Sequence, residues 1–338
     1  MKYSPLIKNI MFQTGIMSLF RRFFNTGTAA ILRYHSVAEL EDNYYATPGI
    51  CITPKLFESQ IRFLSENYNI VSLDTIADCI EKQQPFPEKP VVLTFDDGYR
   101  DNYQAYQIMK KYNARGTFYI VAGCIGNGEP LWLFEIICLV TKTSKSELKL
   151  SAKGKDFYFP LLSGNQKHTA FRKIIEIIKS NNLETREQIR TQLKDRLNDV
   201  PDFNEKSSKV MLTWEQVQEM SHNGMTIGGH TMTHLNLPNA EPHDMVSEIE
   251  ECKKMIEQKT GKSVRHFSYP NGGKYDYYNE SVTEAVKKSG YITATTSNNG
   301  VTDLKSDPFE LSRIRITNHL PEIIYQVDCE PVITQRLG

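Results

Sequence analysis

The sequence predicts an α/β protein in which parallel βαβ units close into a barrel, enlarged by a mainly helical insertion. Three observations carry this reading. Short apolar runs alternate with stretches of helical periodicity on both sides of the chain's middle, the pattern of parallel strands joined by crossover helices. The run Val91-Val92-Leu93-Thr94-Phe95 follows Pro90 and ends in Asp96-Asp97-Gly98, a buried strand that delivers two carboxylates to its C-terminal end, where barrel enzymes keep their chemistry. From about residue 129 to 210 the alternation gives way to a β-like piece and highly charged helical sequence.

Each element has its own local reason. Residues 29–37 form a buried strand ending in Tyr34-His35. Thr53 caps a helix from Pro54 to Tyr68, with Leu56, Phe57, Ile61 and Leu64 at helical spacing. A strand at 70–73 and a helix at 74–82 lead through a proline-punctuated linker into the Asp-Asp strand. A helix over 102–112 and a strand over 116–121 complete the first half, and Gly126, Gly128 and Pro130 then break the pattern. The insertion opens on the apolar run 131–137, continues with a β-like piece at 148–162 turning at Lys153-Gly154-Lys155, and ends in two charged helices within 169–198. Its role is open between a lid, a structural elaboration and an interaction surface. Thr213 and Gln216 make a capping box at the return to the barrel. Helices at 244–260 and 281–289 alternate with strands at 264–269, 291–296 and 309–316, and residues 331–338 read as a tail.

Composition bounds the function. Lys+Arg and Asp+Glu both number 40 in 338 residues, so no net field argues for a nucleic-acid partner. The six cysteines show no CxxC and no paired spacing, which leans towards a reducing compartment. Residues 1–28 mix Ile7, Ile10, Leu19 and Phe23 with Lys8, Arg21 and Arg22. Their apolar runs are too short to span a bilayer, and no signal-peptide pattern is present. The segment reads as an amphipathic helix, either packed on the domain or in peripheral contact with the membrane. The expected location is the cytoplasm, with membrane association as an addition.

The chemistry concentrates in two stretches. Adjacent carboxylates at Asp96 and Asp97 repel unless a cation or a shared proton lies between them; alone they also suit a solvated turn. The segment Thr226-Ile227-Gly228-Gly229-His230-Thr231-Met232-Thr233-His234 places two histidines four apart, on one side of a helical turn and within reach of one ion. With one aspartate they make a two-histidine, one-carboxylate set suited to Zn²⁺ or another divalent ion in hydrolysis.

Thr94-Phe95-Asp96-Asp97-Gly98 together with His230-Thr231-Met232-Thr233-His234 resembles the first two motifs of the polysaccharide deacetylase family, and Phe267-Ser268-Tyr269-Pro270-Asn271-Gly272 resembles the third. The resemblance covers about residues 29–317. It implies a distorted (β/α)7 barrel as a catalytic domain over 29–330, and a metal-dependent hydrolase that removes N-acetyl groups from a saccharide. It implies Asp97, His230 and His234 as ligands of one divalent ion, zinc first, with iron, nickel or cobalt as alternatives. Asp96 is then the general base; spacing alone would allow the two aspartates to exchange roles. It places Tyr269 and the Asn271 backbone N–H on the substrate and oxyanion side, and His35 near the mouth of the site, where it serves equally well as a loop-fixing histidine.

Two positions depart from the family pattern. Ser268 stands where an arginine commonly orients the base carboxylate, and Arg313 is the candidate substitute. No clear histidine acid of the Leu-x-His type is present; His319 is the candidate. These departures keep two other readings open: a hydrolase of a different non-peptide amide on the same fold, and a degenerate member that binds glycan without turning it over.

Overall fold

The computed structural model describes the chain except Met1, Lys2, Asn25, Leu40, Asp42, Asn43, Tyr44, Asn127, Gly128, Asp202 and Gly338; of the side chains of Arg21 and residues 334–337 nothing is said. The expected break at Gly128 therefore lies outside the described residues.

Two helices, α1 (Pro5–Gln13) and α2 (Ile16–Phe23), precede β1 (Ala30–Tyr34). A single amphipathic helix is expected over this segment, and Gly15 divides it, because its φ of 75° is left-handed and ends helical propagation. The short pair β2 (Ser36–Val37) and β3 (Cys51–Ile52) flanks the next loop. Then come α3 (Pro54–Asn67), β4 (Asn69–Ile70), α4 (Leu73–Lys82), β5 (Pro90–Phe95), α5 (Asn102–Lys111) and β6 (Thr117–Ile120). The insertion holds α6 (Trp132–Lys142), the hairpin β7 (Glu147–Ala152) and β8 (Lys155–Pro160), α7 (Gly164–Lys179), α8 (Leu183–Arg196) and α9 (Phe203–Ser207). The barrel resumes with α10 (Trp214–His222), β9 (Thr226–Gly229), α11 (Pro242–Thr260), β10 (His266–Ser268), α12 (Glu280–Lys288), β11 (Thr293–Thr295) and β12 (Ile314–Arg315), and α13 (Leu320–Asp328) and α14 (Glu330–Leu337) close the chain. The expected tail is thus helical through Leu337.

The capping chemistry acts where the side chains announce it. The Thr53 hydroxyl accepts from the Leu56 N–H, and Thr213 and Gln216 form a complete capping box. Lys153 and Gly154 both adopt positive φ, and only such a two-residue turn joins β7 to β8 without splaying them.

The main sheet runs β11-β10-β9-β6-β5-β1-β12, with β4 added against the start of β5. Every ladder in it is parallel. The path does not close by a full ladder; a single bridge from Thr295 to Leu311 brings β11 against the segment entering β12. This is the distorted (β/α)7 barrel. The expected last strand over 309–316 shrinks to Ile314–Arg315, which form a ladder with β1, while Leu311 makes only the single bridge to Thr295.

Both faces of a parallel sheet are covered, so its central strands β1, β5 and β6 are mainly apolar. Every residue of β5 is buried. Its last residue, Phe95, stacks on Phe118 at 4.5 Å and on Tyr34 at 5.2 Å, and meets Phe57 edge-on. This aromatic layer lies directly beneath the Asp-Asp turn.

The glycines of β9 have a packing reason. A Cβ on Gly228 would stand 2.9 Å from the His266 carbonyl oxygen and 2.5 Å from the Tyr119 ring. The carbonyl belongs to the neighbouring strand and cannot give way. Gly228→Ala is therefore expected to destabilise the protein by about 1–3 kcal/mol, read as a lowered midpoint in chemical denaturation at unchanged slope.

Candidate active site

Strand ends bring the motifs together. After Phe95 the chain turns through Asp97 at φ 79° and Gly98 at φ 80°, which sends Asp96 and Asp97 in different directions over the end of the sheet. Both are buried. Four chain segments converge on them: the ends of β1, β9 and β10, and the approach to β12.

The two histidines do not sit on a helix. Thr231 and His234 have φ of 65° and 58°, so residues 230–234 form a tight loop off β9, and the Thr231 hydroxyl accepts from the His234 N–H at 2.9 Å. The loop achieves what the four-residue spacing suggests by another route: the imidazole centroids lie 5.0 Å apart. Their Nε2 atoms stand 3.5 and 3.4 Å from the same Asp97 oxygen, Oδ1.

This set fits a divalent ion. One donor atom from each of Asp97, His230 and His234 lies within 4.8 Å of the others. The nitrogen–oxygen separations exceed good hydrogen bonds, as for ligands arranged about a common cation. His230 Nδ1 donates to the Ser268 carbonyl at 2.7 Å, which leaves its Nε2 lone pair facing Asp97, the tautomer a ligand needs. Among the described residues His234 Nδ1 is buried without a partner. Burial pushes the Asp97 carboxyl up, but the two imidazoles beside it outweigh this and hold it well below the usual carboxylate range.

Asp96 is turned away from that set and bound by Arg313. The guanidinium meets both carboxylate oxygens, Nη1 to Oδ1 and Nη2 to Oδ2, each at 2.7 Å. Its Nε donates to the Thr296 carbonyl at 2.8 Å, Nη1 to the Thr94 hydroxyl at 3.3 Å, and Nη2 to the Ser268 hydroxyl at 3.1 Å. Burial pushes the Asp96 carboxyl up; the Arg313 charge and hydrogen bonds, with His230 and His35, hold it below its ordinary range. The side chain that departs from the family pattern, Ser268, is thus a small neighbour that accepts from the arginine arriving 45 residues later.

The remaining expected residues separate. His35 lies against the pair, its Nε2 3.8 Å from Asp96 Oδ2. Burial lowers its pKa to about 4 although both carboxylates pull it up. The Asn102 amide holds the His35 carbonyl at 2.6 Å, and Asp101, which receives the hydroxyls of Ser36 and Tyr45, supports Asn102. His319 is exposed at the start of α13. Asn271 has φ 76°, and among the described residues its backbone N–H has no hydrogen-bond partner. Tyr269 is turned into the core: its ring stacks on Tyr278, its hydroxyl donates to the Phe309 carbonyl at 3.0 Å, and its N–H donates to Thr295. Neither its side chain nor its N–H is left for substrate.

Sequence reasoning missed the grip of the insertion on the histidine loop. Arg186 of α8 is buried and donates to the Thr233 carbonyl at 3.0 Å and the Thr233 hydroxyl at 2.7 Å. The Trp132 indole of α6 donates to the His234 carbonyl at 3.2 Å. From α11, Glu248 receives the Thr233 N–H at 2.8 Å and its hydroxyl. Lys179, at the end of α7, lies close enough to Asp97 for that carboxylate to support its charge against burial. The signal in the sequence was a tryptophan in a charged insertion, which does not specify a partner.

A barrel sheet with two histidines and a carboxylate at its strand ends, and a second carboxylate held apart by arginine, defines a hydrolase site. The polysaccharide deacetylase family model matches residues 83–153 and 160–294, more than half of the chain, and the chain belongs to that family, hydrolases acting on N-acetyl groups of polysaccharides. It is similar to the Bacillus subtilis (strain 168) protein YxkH, assigned by name to the polysaccharide deacetylases, with 24% identity over 289 residues, 85% of this chain and 71% of the relative. Among solved structures it resembles the Streptococcus pyogenes deacetylase PplD in complex with acetate, at TM-score 0.59 and 21% identity, covering 89% of this chain and 98% of that one. It also resembles IcaB from Ammonifex degensii, at TM-score 0.57 and 16% identity, covering 89% and 97%.

Removing Arg313 leaves Asp96 as a buried charge without its partner. Arg313→Leu is expected to cost about 3–5 kcal/mol of unfolding free energy at neutral pH, and Asp96→Asn added to it should restore part of that loss, measured as a double-mutant cycle by denaturant titration.

Proposed function

We propose that the protein is a metal-dependent N-deacetylase acting on an N-acetylated saccharide, with residues 29–330 as the catalytic unit. The observation that carries this reading is the division of labour between two adjacent carboxylates: Asp97 faces His230 and His234, while Asp96 is clamped by Arg313. The arginine clamp removes the main argument for a degenerate binding module, because the orienting cation missing at Ser268 is present in space. Acetate bound to PplD fits an acetyl-bearing substrate.

Asp97, His230 and His234 would hold the ion, with zinc the first candidate for this mixed nitrogen–oxygen set. When bound, it supplies a Lewis acid that lowers the pKa of water and polarises the acetyl carbonyl. Asp96 accepts the water's proton as the general base, oriented by the two parallel hydrogen bonds from Arg313. The Asn271 N–H, without a hydrogen-bond partner among the described residues, is the candidate donor to the developing oxyanion. His35 takes the place expected for His319. With its pKa lowered to about 4 it is neutral at pH 7, so it accepts the proton held by Asp96 and passes it to the leaving amine.

Purified protein assayed for acetate release from N-acetylated chito-oligosaccharides, with metal content measured in parallel, tests this. Asp96→Asn should abolish turnover while keeping the ion, and His234→Ala should lose both. An ion held without acetate release from any N-acetyl sugar would redirect the search to another amide. The proton path has its own readout: His35→Ala should lower kcat by about 10²–10⁴-fold, whereas His319→Ala should stay within about twofold of wild type. The opposite ranking would return the acid role to His319.

A further inference from the structure

Among the described residues, nine large apolar side chains are exposed, and six of them, Leu6, Ile7, Ile10, Ile16, Leu19 and Phe23, lie on α1 and α2. Exposed apolar residues scattered singly need no explanation, but a concentration does. The two helices are not loosely attached. Met17 is fully buried, Tyr3, Met11, Phe12 and Phe20 pack on the core, Tyr3 meets Tyr325 edge-on, and Lys8 bonds Glu322 at 3.4 Å. Each helix therefore has one face committed to the barrel and one apolar face turned outward. In α1 the outward residues recur at Leu6 and Ile10, and in α2 at Ile16, Leu19 and Phe23, the spacing of a helical stripe.

The charges in this segment select the partner. Residues 1–28 contain Lys2, Lys8, Arg21 and Arg22 and no acidic residue, and the first carboxylate in the chain is Glu39. Lys8 is engaged by Glu322, so among the described residues the basic side chain that bears on a partner is foremost Arg22. Arg22 is exposed, with its guanidinium 5.9 Å from the Phe23 ring centroid. Apolar stripes joined to basic residues without acidic ones match a surface that is apolar below and anionic above, which is the headgroup boundary of an acidic bilayer. No helix among the described residues is long and apolar enough to cross a membrane, so the contact is with its surface.

We propose that the outward faces of α1 and α2 dock the protein on an anionic membrane surface. Arg22 and Phe24 share a cleft with Ala30 and with Lys89 and Pro90, at the starts of β1 and β5, whereas the carboxylates and histidines lie at the opposite, C-terminal ends of the strands. The end of α2 therefore lies at the end of the sheet remote from the active site.

The test is co-sedimentation of the 338-residue chain with vesicles of phosphatidylcholine alone and of phosphatidylcholine mixed with phosphatidylglycerol. The wild type is expected to sediment with the anionic vesicles, less so at high salt, where exposed charges are screened. The triple variant Leu6→Gln, Leu19→Gln, Phe23→Gln should lower the partition coefficient at least about tenfold, since three apolar side chains lose their burial in the bilayer surface. Leu162→Gln, an exposed apolar residue of the insertion, should leave it unchanged. Wild type remaining in the supernatant would overturn the proposal, as would equal losses in the triple and Leu162 variants. So would a concentration-dependent dimer that the triple variant abolishes while vesicles are ignored, which would assign the surface to a second copy of this chain.

Discussion

Asp96 carries its charge where water has almost no access, and the Arg313 guanidinium makes that state tolerable. Taking a carboxylate and a guanidinium out of water costs several kcal/mol for each ion, and their attraction repays it only with good geometry and satisfied remaining donors. Here both conditions hold: two parallel bonds at 2.7 Å join the pair, and Thr94, Ser268 and Thr296 take the other guanidinium protons. The pair thus ties β5, β10 and the segments around β11 and β12 at one point. It also decides chemistry, because a carboxylate fixed at both oxygens by arginine points away from the neighbouring ligand set.

Around that pair the site is assembled from loops with left-handed backbone, each held from outside. Asp97, Thr231, His234 and Asn271 all have positive φ, conformations that cost free energy in residues other than glycine and persist only where surrounding contacts determine them. For the histidine loop those contacts come largely from Arg186, Trp132 and Glu248. Through α6 and α8 the insertion therefore helps hold the histidine loop in place. Arg190 and Lys194 of α8 meet the buried Glu135 of α6 at 2.6 and 2.8 Å, so the supporting helices are themselves braced.

Much of this was legible in the chain. Strand–helix alternation marks the parallel sheet, because buried parallel strands must be apolar and their crossovers must be amphipathic. Asp96, Asp97, His230 and His234 stand out because short-range spacing fixes their proximity once the strand ends are known. Arg313 was recoverable as the answer to a gap at Ser268. What was not legible depends on contacts between distant segments. The resemblance sets His35 near the mouth of the site, but only the placement of β1 beside β5 brings it against Asp96, while His319 lies exposed at the start of α13. A four-residue histidine spacing reads as a helix, whereas two left-handed residues produce the same convergence in a loop. Tyr269 sits in a motif beside the site, yet strand alternation and the pull of an apolar pocket turn its ring into the core. Gly15 was the one local signal passed over, and it splits the N-terminal helix.

The partners Asp96 and Arg313 are 217 residues apart in the chain, and the strands that carry them, β5 and β12, flank the same β1. Contacts of such long sequence separation close late, since the loop entropy must be met before they form. On a ribosome adding about 5–20 residues per second, Arg313 follows Asp96 by roughly 10–40 s. Throughout that interval β1 and β5 can pair while the carboxylate above them stays hydrated and the sheet edge beyond β1 stays open. The nascent barrel is a half-built sheet with an exposed edge, and Arg313 is the last of the residues clustered about Asp96 to be synthesised.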